Sequence, residues 1–558
     1  MQTLLELFLN SVEKFPKEIA VSSSDSAGKK IKLNRTQILN SSLLLAEKLK
    51  EMGLGEGQTV AMFSSNRPEW SIGFFGILFG GGVIVPLDIN LGDKEISNIL
   101  NRSMTEFVLA DESNIERIQE LQEILGKPLK ALSLESFCSV KHPVSFNKIQ
   151  RDAKPEDLAI ISFSSGTTGI PKGVMLTHGN IASNVNAVLE IFDCGKKDIF
   201  LSILPLHHMF ESTAGFLLPI VSGARIHYLS SLNPRVLRES MLEEKITICL
   251  MVPAVIRLIH KRIFGEVSNL SPMKRVLFWI LFLTSRFLLF RFCLRLGGKI
   301  FPKIRNSLSP NLRYLVSGGA PLNSDISIDM LSLGIEVIQG YGLTETSPVT
   351  NANLPGIRRY FHTVGPPIPG VEVRVESLDS TKDKEGEIWI KGPNVMSGYY
   401  KNDKLTEEVF YKDWFKTGDI GRIDKKGNLT ICGRIKNVII NEMGKNIYPE
   451  EIEEELLKNG FFKEVCVIGK RTRRGSEEVF AVVLLDEEQE KLVEASEKLE
   501  YVKNEINKSL ESLADYKKIT DFFIWPQESL PKTTNLKNKR EDLKIQLIEN
   551  HGFLDSDF

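Results

Sequence analysis

Glycines, hydroxyl side chains and one lysine crowd into the segment SSGTTGIPKG, residues 164–173, between two apolar stretches. Glycines allow backbone N–H groups to approach an anion closely, while hydroxyls and a lysine add donors and positive charge. The residues concerned are Ser164, Ser165, Gly166, Thr167, Thr168, Gly169 and Lys172. The segment therefore predicts a loop that holds phosphate groups.

This loop differs from the Walker A phosphate loop at two positions. Pro171 stands where that motif has its second glycine, and Gly173 stands where it has the Ser or Thr that binds magnesium. A metal ligand, if the protein uses one, must therefore come from another part of the chain.

Seven further segments carry polar residues and glycines in fixed patterns. In chain order they are LPLHHMFE (204–211), VSGGAPL (316–322), QGYGLTET (339–346), GEIWIKGPNVMSGYY (386–400), WFKTGDIGRIDKKGNLTICGRIKN (414–437), GKNIYPEEIE (444–453) and LPKTTNLKNKR (530–540). Together with the phosphate loop, and in this order, they resemble the motifs of the adenylate-forming (AMP-binding) superfamily. Within it, the chain is most similar to the long-chain fatty acid–CoA ligases, and the resemblance covers nearly the whole sequence.

The resemblance implies a reaction in two halves, with ATP, Mg²⁺ and coenzyme A as cofactors. A carboxylate attacks the α-phosphate of ATP, which releases pyrophosphate and leaves an acyl-adenylate. A thiol then attacks the acyl group and displaces AMP. Because no protein nucleophile takes part, catalysis must come from positioning and from charge stabilisation.

The same resemblance assigns residues to adenine and to the carboxylate of the acid. The backbone of Gly318, Gly319 and Ala320 is expected to form a flat surface for adenine, with the ring of Tyr341 on its other side. His208, with Phe210 beside it, is expected to border the acyl carboxylate.

Two residues of QGYGLTET are expected to act on the phosphates. The resemblance places Thr344 at the α-phosphate and Glu345 at the magnesium ion, for which a carboxylate is a suitable hard ligand. Taken alone, Glu345 would be typical of a solvated surface acid.

The ribose and the reacting carboxylate are assigned to residues nearer the C-terminus. Asp419, reinforced by Arg434, is expected to accept hydrogen bonds from both ribose hydroxyls, although an aspartate at this position in isolation is typical of a structural turn. Lys537 is expected to be the catalytic lysine that contacts the carboxylate and the α-phosphate. Leu536 stands where many relatives have glycine, and Lys532 and Lys539 lie close by in the sequence.

The second half-reaction is expected to involve a hinge and a path for pantetheine. Lys436 matches the hinge position and Gly444 the residue whose backbone lines the path. The stretch before Gly444 is one residue longer than in shorter-chain ligases, and a turn glycine is the alternative interpretation.

The segment RVLFWILFLTSRFLLFRFCLRL, residues 275–296, stands apart from the motifs. A spanning helix needs about 20 apolar residues, and Arg286, Arg291 and Arg295 interrupt this one. Three interpretations remain open: a helix on a membrane interface, a helix pair over a hydrophobic tunnel, or an ordinary buried helix pair. The similarity to long-chain ligases favours a long-chain fatty acid as substrate and peripheral contact with the cytoplasmic face of a membrane.

Two other functions remain as alternatives. The adenylate could be delivered to an acyl-carrier protein or released as such. The chain could also be an inactive fatty-acid-binding protein on the same scaffold, although Lys537, Glu345 and Asp419 are all present.

Short β-branched runs alternate with helical stretches up to about residue 430, and these are the elements that must position the residues named above. This alternation predicts an α/β fold of βαβ units around largely parallel sheets. Shorter runs with Gly-rich turns over 370–433 predict an antiparallel, barrel-like subdomain, and a Lys- and Glu-rich end predicts a small α+β domain. We expect an N-terminal adenylation domain, 1–434, a hinge, and a mobile C-terminal domain, 435–558.

Composition is that of a globular protein of several domains. The chain has 558 residues, 42% hydrophobic and 25% charged, with a formal net charge of −1. This balance gives no indication of nucleic-acid binding. The N-terminal residues lack the pattern of a signal peptide and instead predict an amphipathic first helix.

Overall fold

The computed structural model describes the chain except for residues 25–29, 139–152, 165–170, 230, 232, 356–360, 378–384, 443–444, 459, 473–476, 492–496 and 533–537, and the side chains of residues 24, 164 and 488. The chain divides into two compact units. Unit 1 comprises Met1–Val373 and Ile390–Phe415, and unit 2 comprises Arg374–Trp389 and Lys416–Phe558.

Most strands of the first 400 residues belong to two large sheets. These strands are β1 Ile19–Ser24, β2 Lys30–Asn34, β3 Thr59–Phe63, β4 Val83–Pro86, β5 Phe107–Ala110, β6 Lys130–Ser133, β7 Leu158–Ser164, β8 Lys172–Thr177, β9 Ile199–Ser202, β10 Arg225–Tyr228, β11 Ile248–Met251, β12 Tyr314–Ser317, β13 Val337–Gly342 and β14 Val349–Ala352. They are followed by β15 Glu372–Ser377, β16 Gly386–Lys391, β17 Gly398–Tyr399, β18 Phe410–Tyr411, β19 Trp414–Ile423 and β20 Leu429–Arg434.

Both large sheets are mainly parallel. The eight-stranded sheet has the order β14-β13-β12-β11-β9-β10-β1-β2, and only its outermost strands, β14 and β2, pair antiparallel. The seven-stranded sheet has the order β17-β8-β7-β4-β3-β5-β6, with antiparallel pairing where β8 meets β7 and β17. The predicted βαβ architecture is confirmed.

Helices cover these sheets. They are α1 Leu4–Lys14, α2 Arg35–Glu51, α3 Glu69–Gly80, α4 Asp93–Arg102, α5 Ile115–Leu125, α6 His178–Ile191, α7 Leu218–Ser222, α8 Pro234–Glu243, α9 Pro253–Ser268, α10 Pro272–Phe292, α11 Gly297–Ile300, α12 Pro302–Leu308, α13 Ser324–Ser332 and α14 Asp403–Val409. The amphipathic first helix predicted from the sequence is present as α1, which buries Leu4, Leu5, Leu7 and Phe8.

The apolar segment 275–296 lies mostly within one long helix, α10. Four of its side chains, Phe278, Phe282, Ser285 and Leu289, are buried, and most of the others are exposed. The interpretation as an ordinary buried helix pair is therefore wrong. Among the helices that the structure describes, none is long and apolar enough to cross a membrane.

A third sheet has the order β15-β16-β19-β18, with β20 paired to β19. β19 runs antiparallel to both β18 and β20. This sheet corresponds to the antiparallel subdomain that the Gly-rich segment 370–433 predicts.

The C-terminal part of unit 2 is a small α+β structure, as predicted. Its elements are β21 Ile439–Ile440, β22 Asn446–Ile447, α15 Pro449–Leu457, β23 Phe462–Arg471, β24 Glu477–Leu485, α16 Glu487–Glu490, α17 Lys498–Ser509, β25 Asp521–Ile524 and α18 Arg540–His551. Alternate residues of β23 face different cores, since Val465 and Val467 join one apolar cluster and Cys466 and Ile468 the other.

Candidate active site

The predicted phosphate loop lies at the end of a β-hairpin. β7 and β8 pair antiparallel up to Ser164 and Lys172, which face each other where the loop begins and ends. Gly173 is part of β8, and a Cβ atom there would lie 2.9 Å from Cγ2 of Ile161, so packing within the hairpin also requires a glycine. The loop residues Ser165, Gly166, Thr167, Thr168 and Gly169, and the side chain of Ser164, lie outside the described residues. The hairpin fixes the position of Lys172.

Lys172 and Glu345 meet at Tyr399, a residue to which the sequence analysis gave no role. The hydroxyl of Tyr399 donates a hydrogen bond of 3.0 Å to Oε1 of Glu345. The Nζ atom of Lys172 lies 5.8 Å from the centre of the Tyr399 ring. Burial, with the adjacent Glu345 carboxylate, raises the pKa of Tyr399, so the phenol stays protonated and can donate. Three stretches of the sequence thus converge on one cluster, which we call the Lys172–Tyr399–Glu345 cluster.

Glu345 fits the metal role that the resemblance implies. It lies in a short 3-10 helix, Thr344–Thr346, and is half-buried, as is Thr344. Tyr399 occupies only one of its oxygens, and Mg²⁺ is commonly held by one or two carboxylates together with substrate phosphates and water. The described part of the chain contains no group of three His, Cys, Asp or Glu side chains that could hold a metal by itself. The residues therefore suit an ion that is shared with a phosphate substrate.

The predicted adenine residues lie at the carboxyl ends of two adjacent parallel strands, with residues 318–320 just after β12 and Tyr341 near the end of β13. Ser317 of β12 is in register with Gln339 of β13, so Gly319 and Tyr341 each lie two residues beyond this pair. Carboxyl ends of parallel strands are the usual place for ligands in open α/β sheets. Gly319 has φ +82°, and no atom lies within 4 Å of the position that a Cβ would take.

Gly318 and Ala320 differ in exposure. Ala320 is exposed, like Gly319, whereas Gly318 is buried. A Cβ at Gly318 would lie 2.8 Å from Cζ of Phe210, so the Phe210 ring packs directly on the glycine backbone. This contact joins the histidine motif to the predicted adenine surface.

The two histidines of that motif lie side by side. The ring centres of His207 and His208 are 4.1 Å apart. Nε2 of His207 lies 3.6 Å from a carboxylate oxygen of Asp88. Burial lowers the pKa of His207, which the Asp88 carboxylate only partly opposes, so this imidazole is mainly neutral at pH 7. His208, the predicted substrate neighbour, is half-buried next to Phe210.

Glu211, the last residue of this motif, is a buried acid to which the sequence analysis gave no role. It begins a π-helix, Glu211–Leu217, and its Oε1 accepts a 2.6 Å hydrogen bond from Ser202. Burial raises the pKa of Glu211 to about 8, so the carboxyl is largely protonated at pH 7. A Cβ at Gly215 would lie 2.5 Å from Cδ of Glu211, so a glycine one turn later makes room for the carboxyl. No pattern in the sequence distinguishes this acid from a surface one.

In unit 2, the predicted ribose residues pair with each other. Asp419 of β19 faces Arg434 of β20, and Nε of Arg434 lies 2.9 Å from Oδ1 of Asp419. Asp419 is buried and Arg434 is exposed. The pair holds a carboxylate in a fixed position at the end of a strand pair. Lys436, the predicted hinge residue, is exposed in the 3-10 helix Ile435–Asn437 that follows.

The predicted catalytic lysine, Lys537, lies outside the described residues, as does Gly444. The residues on either side of segment 533–537 are described. Lys532 and Asn538 form an isolated β-bridge, and the Asn538 side chain donates a 2.7 Å hydrogen bond to the carbonyl of Val465. Next to it, Arg540 donates to Oε1 of Glu453 at 2.7 Å. Both ends of the segment 533–537 are therefore held against β23 or each other.

Comparison with known proteins gives a consistent result. Residues 8–400 match the model of the AMP-binding enzyme, and residues 451–537 match that of the AMP-binding enzyme C-terminal domain. Long chain acyl-CoA synthetase 1 of Arabidopsis thaliana is 31% identical over 512 residues, 84% of this chain and 77% of that one. Long-chain-fatty-acid–CoA ligase 5 of Rattus norvegicus is 31% identical over 455 residues, 75% of this chain and 66% of that one.

A solved structure agrees with the fold. The crystal structure of ATP-bound MatB from Rhodopseudomonas palustris matches with a TM-score of 0.78 and 25% identity, over 98% of this chain and 99% of that one. The predicted α/β fold is thereby confirmed.

Proposed function

The chain belongs to the AMP-binding enzyme family, and we propose that it activates a long-chain fatty acid with ATP and transfers the acyl group to coenzyme A. The products are acyl-CoA, AMP and pyrophosphate. The observation that carries the proposal is the Lys172–Tyr399–Glu345 cluster. It brings the base of a phosphate loop to a carboxylate that is suited to magnesium.

In the first half-reaction, a carboxylate oxygen of the acid attacks the α-phosphorus of ATP, and the bond to pyrophosphate breaks. Lys172 and the loop above the hairpin hold the β- and γ-phosphates, and Thr344 contacts the α-phosphate. Glu345, oriented by Tyr399, would hold the magnesium ion, which would supply positive charge next to the phosphates. Adenine lies on residues 318–320 against Tyr341, and Asp419 accepts the hydrogen bonds of the ribose hydroxyls.

Lys537 stabilises the negative charge that develops on the α-phosphate and the carboxylate. Removing one such stabilising contact in an enzyme slows the reaction by about 10²–10³. The residues on either side of the segment that holds it, Lys532 and Asn538, pair with each other as a β-bridge.

In the second half-reaction, the thiol of coenzyme A attacks the acyl carbon and AMP leaves. We propose that residues 435–558 act as the mobile domain for this step, with Lys436 as the hinge and Gly444 on the pantetheine path. His208 borders the acid's carboxylate in the first step and the acyl carbon of the adenylate in the second.

A long-chain acid as substrate is supported by the relatives from Arabidopsis and rat, which are named long chain acyl-CoA synthetase and long-chain-fatty-acid–CoA ligase. Burial of each methylene group stabilises binding by about 0.8 kcal/mol, so a long alkyl chain can dominate the affinity. The apolar segment 275–296 supports a site of action where such acids are found, on the cytoplasmic face of a membrane.

ATP–pyrophosphate exchange with a series of acids from acetate to oleate tests the proposal. We expect exchange to be fastest with long-chain acids and to fall at least about a hundredfold in Lys537→Ala. Lys539→Ala is the matched control, because Lys539 forms a surface ion pair with Asp542 and should leave exchange unchanged.

Three outcomes would contradict parts of the proposal. A maximum with a short or aromatic acid would refute the long-chain substrate, and an equal loss in Lys539→Ala would refute the assignment of Lys537. Exchange without formation of acyl-CoA, when coenzyme A and acyl-carrier protein are offered separately, would refute coenzyme A as acceptor.

A further inference from the structure

Helix α10 has one buried face and one exposed apolar face. The buried positions 278, 282, 285 and 289 follow a helical spacing of three or four residues, and Ser285 donates a 2.7 Å hydrogen bond to the carbonyl of Ser332. On the remaining surface, eight apolar side chains are each more than half exposed: Met273, Val276, Leu277, Ile280, Leu283, Phe287, Phe290 and Phe292. Monomeric soluble proteins rarely expose a contiguous apolar surface of this kind, which is typical of an interaction site.

The segment around α10 is strongly cationic. Residues 253–308 carry eleven Lys and Arg side chains and one acidic side chain, Glu266, which gives a formal charge of +10. Since the whole chain has a formal net charge of −1, the remaining residues together carry −11. Positive charge is thus concentrated in the same 56 residues that expose the apolar helix.

Two of the arginines on this segment anchor it to the protein. Arg286 forms ion pairs with Asp325 and Asp329, and Arg295 pairs with Glu336 at 3.0 Å. These contacts hold the buried face of α10 in place. Lys274 and Arg291, the cations in the first and last turns of α10, take no part in these ion pairs.

Among the exposed cations on α10 or after it, Lys274, Arg291, Lys299 and Lys303 have no ion pair within the described residues, and neither does Arg275, which donates a hydrogen bond to the carbonyl of Ser268. Lys274 lies in the first turn of the helix and Arg291 in its last, whereas Lys299 and Lys303 lie in the short helices α11 and α12 that come after it. An apolar stretch between unpaired cations is the pattern of a helix that lies flat in a membrane interface.

We propose that the exposed face of α10 docks on a bilayer that carries anionic lipids. The apolar side chains enter the boundary between headgroups and acyl chains, and Lys274, Arg291, Lys299 and Lys303 contact lipid phosphates. This inference rests on the proposed function, because a long-chain acid partitions into the same bilayer. It adds to that function the headgroup charge, the helix face and the residues that recognise them.

A second copy of the chain suits this face less well. Two identical faces would bring two sets of exposed cations together, Lys274, Arg291, Lys299 and Lys303 of each copy, which repel each other at moderate ionic strength. An anionic surface instead lowers the electrostatic energy of the segment.

Flotation of the full-length protein with vesicles tests the inference. One set consists of phosphatidylcholine alone and the other of equal parts phosphatidylcholine and phosphatidylglycerol. We expect binding to the anionic set at about 0.1 M salt and release at about 1 M, where the Debye length falls to about 3 Å.

Two variants separate the apolar and the cationic contributions. Leu283→Gln/Phe287→Gln/Phe290→Gln should abolish binding to the anionic set. Lys274→Gln/Arg291→Gln/Lys299→Gln/Lys303→Gln should reduce binding to anionic vesicles at least about tenfold. Leu499→Gln/Ile545→Gln is the matched control, since both residues are exposed apolar side chains elsewhere in the chain.

Pyrophosphate exchange with water-soluble octanoate is measured for every variant in the absence of vesicles. Unchanged exchange with lost flotation supports the inference and shows that the variants are folded. Flotation without any exchange would leave the docking face intact and refute the proposed function instead. Equal binding of both vesicle sets, or no effect of either variant, would overturn the inference, as would a dimer that becomes a monomer in the apolar variant.

Discussion

At the scale of single residues, the hydroxyl of Tyr399 is the group that fixes Glu345. The hydrogen bond of 3.0 Å constrains one carboxylate oxygen and leaves the other for a metal. No spacing rule relates the two residues, which lie 54 positions apart. The sequence therefore predicted Glu345 from its motif and gave no role to Tyr399.

Tyr399→Phe removes this hydrogen bond and keeps the ring beside Lys172. A hydrogen bond to a charged group contributes about 1.5–3 kcal/mol, so we expect the magnesium concentration for half-maximal pyrophosphate exchange to rise at least about tenfold. Exchange at saturating magnesium should fall much less. Tyr400→Phe is the control, because it makes the same change at the neighbouring position, and an equal shift in both variants would contradict the role of Tyr399.

At the scale of elements, the junction between α18 and the residues before it depends on a buried charge. Arg540, the first residue of α18, pairs with Glu453 at 2.7 Å and Glu450 at 3.3 Å, and its Nε donates to the carbonyl of Val467. Burial, despite the nearby arginine, raises the pKa of Glu453 to about 7. The start of α18 is thus joined to both α15 and β23, three residues after Lys537.

Arg540→Met should destabilise this element strongly, because it leaves Glu453 buried without its cation. Breaking a buried ion pair costs about 3–5 kcal/mol, whereas replacing both partners by apolar residues is often nearly neutral. We therefore expect urea unfolding to show a large loss in Arg540→Met and substantial recovery in Arg540→Met/Glu453→Leu. Equal stability of the single and double variants would show that the pair does not hold the junction.

The elements themselves were largely predictable. Runs such as TVAMF and LAIISFS are strands, because a buried parallel strand needs a continuous apolar run that few other structures require. The exposure of α10 was not predictable, since an apolar helix has the same sequence pattern whether its outer face contacts protein or solvent. The contact of Phe210 with Gly318 was likewise hidden, because it depends on strand order and not on either motif.

At the scale of the whole molecule, the small net charge is the sum of a strongly positive segment and a negative remainder. A formal charge of −1 gave no indication of a partner, yet residues 253–308 carry +10. Averaging over a long chain removes the feature that electrostatic recognition depends on. Local charge counts over structural segments are therefore the better predictor of a binding surface here.

The last prediction concerns the whole chain, because it compares the rates of the two half-reactions. If Lys436 is the hinge, its backbone torsions must change between adenylation and transfer to coenzyme A. Lys436→Pro fixes φ near −65° and disfavours helical torsions at Ile435. We therefore expect one half-reaction to slow selectively, which is measured by comparing pyrophosphate exchange with acyl-CoA formation from added acyl-adenylate. Lys436→Ala removes the charge but leaves the torsions free, so it should alter the ratio of the two rates much less. If proline slows both half-reactions in proportion, or if alanine has the same effect as proline, residue 436 does not act as the hinge.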